Sequence, residues 1–221
     1  MNFQRIVFEM KFSFKKVICC LLVFAMLLPF AACGRTAQND KFAESTENSR
    51  TPETDASTKP DGKGKALVVY FSWSGNIENM ASAIAERVGA DLLQLQPAVA
   101  YPEDYSACAE TAKRERDENA RPAIANLPTD LSAYDTVFVG YPIWWHTAPM
   151  IIGTFLESFD LTGKQIYPFT QSASMDTEHF ENSMAFVTEC AKGATVHEGL
   201  FSRASDIDRI EAYLTENEFM K

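Results

Sequence analysis

Five cysteines and three histidines are all that the 221-residue chain offers in thiol and imidazole ligands. Cys19 and Cys20 lie in an apolar run near the start and Cys33 follows it, so only Cys108 and Cys190 remain for a folded domain. Two cysteines do not make a disulfide framework. Expected on the second and fourth helices, which flank the third, they stand too far apart to bridge. His146, His179 and His197 fall in separate segments, and no His/Cys cluster has ligand spacing, so no metal site is expected. Positive charge is scarce as well: 20 Lys and Arg stand against 30 Asp and Glu, a formal net charge of −10. Residues 1–32 hold four basic residues and one acid, which leaves −13 on the remainder. Such a body repels phosphate backbones and argues against nucleic acid as a partner, while suiting a basic protein surface. No G-x-S-x-G elbow surrounds Ser72 or Ser74, which removes the serine hydrolases. No acidic pair follows the first apolar run of the domain, which removes a phospho-acceptor receiver.

What is present divides the chain in three. Lys11, Lys15 and Lys16 precede a sixteen-residue apolar run, Val17 to Ala32, broken late by Pro29. That is the build of a secretory signal peptide and is short for a membrane-spanning helix. Ala31 and Ala32 stand directly before Cys33, which resembles a bacterial lipoprotein signal; Phe30 replaces the usual aliphatic residue. Residues 1–33 are therefore expected to be a signal peptide with a lipobox-like end and Cys33 the lipidated residue. The rest becomes an extracytoplasmic lipoprotein held at a membrane by its lipid anchor. Residues 34–64 are polar, with Phe42 the lone large apolar side chain, and are expected to form a disordered linker. About thirty such residues span roughly 30 Å.

From Lys65 onward the pattern alternates. Ala66–Phe71 is a continuous apolar run, as expected of a strand buried on both faces. Ile77, Met80, Ala81, Ile84, Ala85 and Val88 then form one face of an amphipathic helix, with Gly89 placed to end it. Strands are expected at 91–96, 136–140, 165–170 and 195–200. Helices are expected at 105–119, 150–159, 177–191 and 205–217, the last opened by a capping box of Ser205 and Asp208. Five strands alternating with five helices make an α/β domain over residues 65–221, with a parallel sheet and right-handed connections. Its ligand crevice lies beyond the carboxyl ends of the strands.

Three loops open onto that crevice. Ser72-Trp73-Ser74-Gly75-Asn76 leads a strand into a helix, where unsatisfied N–H groups and the helix dipole favour a phosphate. Pro142, Ile143, Trp144, Trp145 and His146 follow the third strand, and adjacent tryptophans there can wall a planar ligand. Thr170, Gln171, Ser172, Ala173 and Ser174 supply short polar groups for the edge of a heteroaromatic ring.

Phosphate cradle, aromatic wall and polar rim together resemble the flavodoxin-like family. The resemblance rests on Ser72-x-Ser74-Gly75-Asn76, on Gly140-Tyr141-Pro142-Ile143-Trp144-Trp145, on Tyr101-Pro102-x-x-Tyr105 and on Ala120-Arg121-Pro122. It implies a three-layer sandwich with a five-stranded parallel sheet of order 2-1-3-4-5. It also implies non-covalently bound FMN and a role in electron transfer with a redox partner protein or a small acceptor. An FMN-dependent NAD(P)H reductase of quinones is the alternative, and a surface lipoprotein that keeps the fold without flavin is another. By the resemblance Ser72, Trp73, Ser74, Gly75, Asn76 and Ile77 border the FMN phosphate, Pro142 to His146 border the isoalloxazine ring, and Thr170 to Ser174 meet its other edge. No side chain need act as acid or base, because the flavin carries the electrons. Two residues depart from the family pattern: Ile77 stands where threonine is usual, and His146 where glycine is frequent.

Overall fold

The computed structural model describes residues 64–220. The expected signal peptide with its lipidation site at Cys33, and the expected linker, lie outside the described residues. Among those described, no helix is long and apolar enough to cross a membrane.

The sheet is built from β1 (Lys65–Tyr70), β2 (Asp91–Gln94), β3 (Tyr134–Pro142), β4 (Gln165–Gln171), β5 (Thr195–Val196) and β6 (Leu200–Phe201). All pairings are parallel, in the order β2-β1-β3-β4-β5, with β6 also on β4. The helices are α1 (Asn76–Val88), α2 (Tyr105–Asp117), α3 (Met150–Glu157), α4 (Thr177–Cys190) and α5 (Ile207–Glu216). Successive side chains of a strand point to opposite faces, so a strand covered on both sides must be apolar throughout. Leu67, Val69, Phe71, Val137, Val139 and Tyr141 pack on one face with Ile151, Ile152 and Phe155 of α3 and Val187 of α4. Val68, Tyr70 and Phe138 pack on the other with Ile77, Met80 and Ile84 of α1 and Ile210 and Leu214 of α5. The layers are thus helices, sheet and helices. α1 ends at Gly89, whose φ of 64° and bond to the Ala85 carbonyl complete the expected C-cap. Cys108 on α2 and Cys190 on α4 are both buried and free.

Beyond shifts of one or two residues at element ends, the structure makes two corrections. α5 is capped by the Asp206 carboxylate, which accepts from the Arg209 N–H, and not by Ser205. The single last strand expected at 195–200 is split. β5 pairs Gln165 with Thr195, a separation of 30 residues, whereas β6 pairs Phe169 with Leu200, a separation of 31, so one extra residue enters the edge. Ile166 and Thr170 turn their carbonyls to this edge, accepting from the N–H groups of His197 and Ser202. Pro168, between them, faces the same way and has no N–H to offer. The ladder breaks opposite it.

Gly140 positions the last turn of β3. It pairs with Phe169, and a Cβ built there would lie 2.2 Å from the Phe169 ring. Only glycine lets that buried ring cross the strand two residues before β3 gives way to the loop that begins at Ile143.

Candidate functional site

The first loop leaves β1 and enters α1 through Gly75, which adopts φ 84° and ψ −16° and provides no side-chain cap. The contrast with three other helices is informative. Asp104, Asp176 and Asp206 each place a carboxylate on the N-terminal amides of α2, α4 and α5. At α1, as at α3, no side chain caps the first turn, and at α1 no atom beyond the adjacent residues lies within 4 Å of where a Gly75 Cβ would stand. Ser72 shapes the loop by accepting from the Gly75 N–H at 3.1 Å, and the Asn76 amide donates to Ser74 Oγ at 3.3 Å. The Ile77 side chain is 2% exposed and belongs to the α1 core face, so only its backbone N–H can serve a ligand. Trp73 is exposed; its indole donates to the Pro102 carbonyl at 3.1 Å and its ring faces Tyr105 at 6.5 Å.

The second loop is a tight hairpin. Trp144 and Thr147 exchange both backbone bonds, at 2.9 and 3.1 Å, around Trp145 and His146. Both central residues have positive φ, 48° and 67°, in a turn that ordinarily calls for Asn-Gly. Such a conformation costs on the order of 1 kcal/mol or more per residue and persists only where surroundings enforce it. Here they do. The Trp145 indole donates to the Ala109 carbonyl at 2.8 Å, Arg116 donates to the Trp145 carbonyl at 3.2 Å, and the Arg116 guanidinium lies 5.5 Å from the Trp145 ring centre. The two tryptophans divide as their adjacency requires. Trp145 is 40% exposed, while Trp144 is partly buried with its ring perpendicular to Phe71 and nearly so to Tyr101, both at 5.3 Å.

The third loop is more committed to structure than its composition suggests. Thr170 is fully buried and its hydroxyl donates to the Tyr141 carbonyl at 2.5 Å, so it ties β4 to β3 and presents nothing to a ligand. The Gln171 side chain accepts from the Ala204 N–H, and Ser172 Oγ accepts from the Met175 N–H. Ala173 and Ser174 are the exposed tip.

Sequence reasoning missed two contributors. His179, which the sequence offers only as an isolated histidine, opens α4 and stacks on His146 with ring centres 3.8 Å apart and planes 8° apart. Only tertiary proximity links them. The other contributor is α2, whose Tyr105, Cys108, Ala109 and Ala112 join Trp73 and Ile143–His146 around a cavity of about 240 Å³. The signal was present: small residues at 108, 109 and 112 share one helix face. Residues 170–174 do not line this cavity. The Ala120-Arg121-Pro122 segment proves to be a clamp: Arg121 pairs with both Glu157 oxygens at 2.7 and 2.8 Å and also bonds the Asn119 and Ala120 carbonyls.

Charge at the site is muted. Burial pushes the Cys108 thiol up from its ordinary value, with Glu115 adding to the rise, so it is no thiolate nucleophile. Behind Trp144, the Tyr101 hydroxyl donates to Glu115 at 2.7 Å. Burial raises the Glu115 carboxyl despite the Tyr101 bond and Arg114, which pull the other way. Its contribution to stability is therefore present below the unfolded value and lost as pH rises through the folded one. Glu115→Gln should gain stability relative to wild type between pH 4 and pH 8, read as the difference in Tm. A difference independent of pH would show that burial does not perturb this carboxyl. Among the described residues no group of three His, Cys, Asp or Glu is placed to hold a metal ion.

Comparison with known proteins agrees with this geometry. A crystal structure from Bacteroides uniformis, designated a flavoprotein, is 31% identical, has a TM-score of 0.63, and is matched over 69% of this chain and 99% of its own. A flavoprotein of Lactobacillus acidophilus in complex with FMN is 23% identical with a TM-score of 0.55, over 67% and 99%. Two curated relatives are named NAD(P)H dehydrogenase (quinone). The one from Gluconacetobacter diazotrophicus is 41% identical over 83 residues, 35% of this chain. The one from Acidovorax ebreus is 31% identical over 120 residues, 50% of this chain. The chain spans 38% and 57% of their lengths. The family model described as flavodoxin matches residues 65–213, from the first residue of β1 into α5, and the chain belongs to the flavodoxin family.

Proposed function

We propose that this chain binds FMN non-covalently and serves in electron transfer. The observation that carries the reading is the open N-terminus of α1 beside a pinned aromatic hairpin. α1 starts at Gly75 with no side-chain cap and unobstructed space in front of it. The residues fit the group: backbone N–H groups of Asn76 and Ile77 with the Ser72 and Ser74 hydroxyls for the phosphate, and Pro142 to His146 for the ring. Ser172 to Ser174 supply the opposite edge. When bound, the flavin would supply low-potential electron transfer that no side chain here can perform. The protein's part is to neutralise the phosphate, hold the ring against the 142–146 backbone and keep water from one face. Lacking the usual threonine hydroxyl at 77, the cradle relies on amides and serines.

Titration of the purified chain with FMN tests this. Saturable binding at or below tens of micromolar, with quenching of flavin fluorescence by the neighbouring tryptophans, is expected. Absence of binding at those concentrations leaves the fold as a flavin-free scaffold.

A second reading is an FMN-dependent NAD(P)H reductase. It is favoured by the names of the two curated relatives. Steady-state consumption of NADPH in the presence of a quinone separates it from a one-electron carrier.

A further inference from the structure

The Tyr101-Pro102-x-x-Tyr105 run takes no part in the phosphate cradle, yet it sets an oxidisable side chain directly behind the aromatic hairpin. All three tryptophans of the chain, Trp73, Trp144 and Trp145, line the one cavity against α2. Indole is among the first side chains to lose an electron to a strong one-electron oxidant, so oxidising damage in this domain begins there. Trp73 and Trp145 are the exposed members, and Trp144 is the inward one.

Behind Trp144 stands Tyr101. Their ring centres are 5.3 Å apart with planes at 82°, and Phe71 packs against both, at 5.3 and 5.4 Å. Rings in contact exchange an electron readily. The obstacle to oxidising a phenol is its proton, because the ionised ring is a strong acid and needs an acceptor at hand. Tyr101 has one: its hydroxyl donates to Glu115 Oε2 at 2.7 Å. Burial first, and then the bond to Glu115, raise the Tyr101 phenol, so its proton leaves only when an electron leaves with it. Burial also raises the Glu115 carboxyl, which makes its carboxylate the better base.

Two other tyrosines each have half of this arrangement. Tyr105 faces Trp73 at 6.5 Å, but its hydroxyl has no hydrogen-bond partner among the described residues. Tyr134 donates to Asp91 at 2.6 Å, but the Lys65 ammonium holds the same carboxylate at 2.6 Å. Tyr134 also begins β3, at the end of the sheet away from the hairpin. Among the described residues only Tyr101 joins an indole neighbour to a carboxylate acceptor.

We propose that Trp144, Tyr101 and Glu115 form a relay that carries an oxidising equivalent away from the indoles of the site. A one-electron oxidant such as a peroxyl radical takes an electron from Trp144 and a proton from water, and becomes a hydroperoxide. Trp144 keeps its indole N–H and is left as a radical cation. Tyr101 returns one electron to Trp144 while its hydroxyl proton passes to the Glu115 carboxylate. Trp144 is then intact, Tyr101 is a neutral radical and Glu115 is protonated. A soluble thiol reductant supplies the missing electron to Tyr101, and the proton comes back from Glu115. This path works at high potential, goes beyond the flavin reading and does not depend on it.

Pulse radiolysis of the purified full chain with azide radicals, which attack indoles first, tests the relay. Tryptophanyl and tyrosyl radicals are distinguished by their absorption bands. The tryptophanyl signal is expected to decay into the tyrosyl signal in a first-order phase whose rate is independent of protein concentration. Tyr101→Phe keeps the ring packing and should remove that phase. Glu115→Gln still accepts the hydrogen bond but takes no proton, and should slow the phase by about tenfold or more. Tyr105→Phe should leave it unchanged. The relay is overturned if the wild-type chain lacks the phase, if the phase survives Tyr101→Phe, if it keeps full speed in Glu115→Gln, or if it is lost in Tyr105→Phe. No FMN is added, so none of these outcomes turns on flavin binding.

Discussion

Gly75→Asp will abolish FMN binding and leave the domain folded. The substitution puts a carboxylate where the phosphate is proposed to sit, at the uncapped start of α1. Two unit charges about 4 Å apart interact by roughly 4 kcal/mol at an effective dielectric of 20, less where water reaches them. About 2.8 kcal/mol of that repulsion already means a hundredfold loss of affinity. The fold is affected in two opposed ways. A side chain at φ 84° carries the left-handed penalty of about 1–2 kcal/mol, which Asp tolerates better than most. Its carboxylate meanwhile sits at the positive end of the helix dipole, a gain of about 0.3–1 kcal/mol. Tm should therefore move by only a few degrees. Gly75→Asn has the same shape without the charge and should cost FMN only several-fold. If the aspartate variant still binds FMN within tenfold of wild type, the phosphate does not lie at α1.

Gly140→Ala will destabilise the domain by about 3 kcal/mol, which lowers Tm by roughly 10 °C at this chain length. The new methyl would lie 2.2 Å from Phe169 Cζ and 2.4 Å from Cε2, inside van der Waals contact. Phe169 is fully buried among Phe138, Tyr167 and Leu200, so its ring has nowhere to go without moving β4 or α5. Phe169→Leu shortens the obstacle. Alone it loses buried area; combined with Gly140→Ala it should recover at least 1 kcal/mol of the glycine variant's loss, a coupling measurable by a double-mutant cycle in chemical denaturation. A Gly140→Ala protein melting within about 2 °C of wild type would mean that the Phe169 ring is free to swing aside.

Much of this architecture is readable before any coordinates. β1, β3 and β4 are continuous apolar runs because both faces of the sheet are covered, and α1 shows its buried stripe and its closing glycine. Other features depend on contacts between distant segments. Thr170 looks like a loop donor, yet its register opposite Tyr141 commits the hydroxyl to the sheet. His179 is featureless as one residue of a helix and becomes part of the site through His146. Ala109 matters through its backbone carbonyl, which carries no sequence signature. Ile77 shows the reverse. Its position in the phosphate motif suggests a ligand contact, while its place in the helical repeat correctly marks it as core. The broken last strand had a visible cause in Pro168, but the effect falls on the neighbouring strand, where a residue-by-residue reading does not look for it.

That break also governs how the domain treats its neighbours. A sheet's outer strand is a row of open backbone groups onto which another chain can add itself. Here the outer row consists of two two-residue pieces, β5 and β6, out of step with each other by one residue. Between them α4 closes in, with Met184 and Phe180 packed against Gly199. An incoming strand finds no continuous partner on that side, and the opposite outer strand, β2, is only four residues long. Crowded copies of this protein are thereby kept from joining their sheets edge to edge.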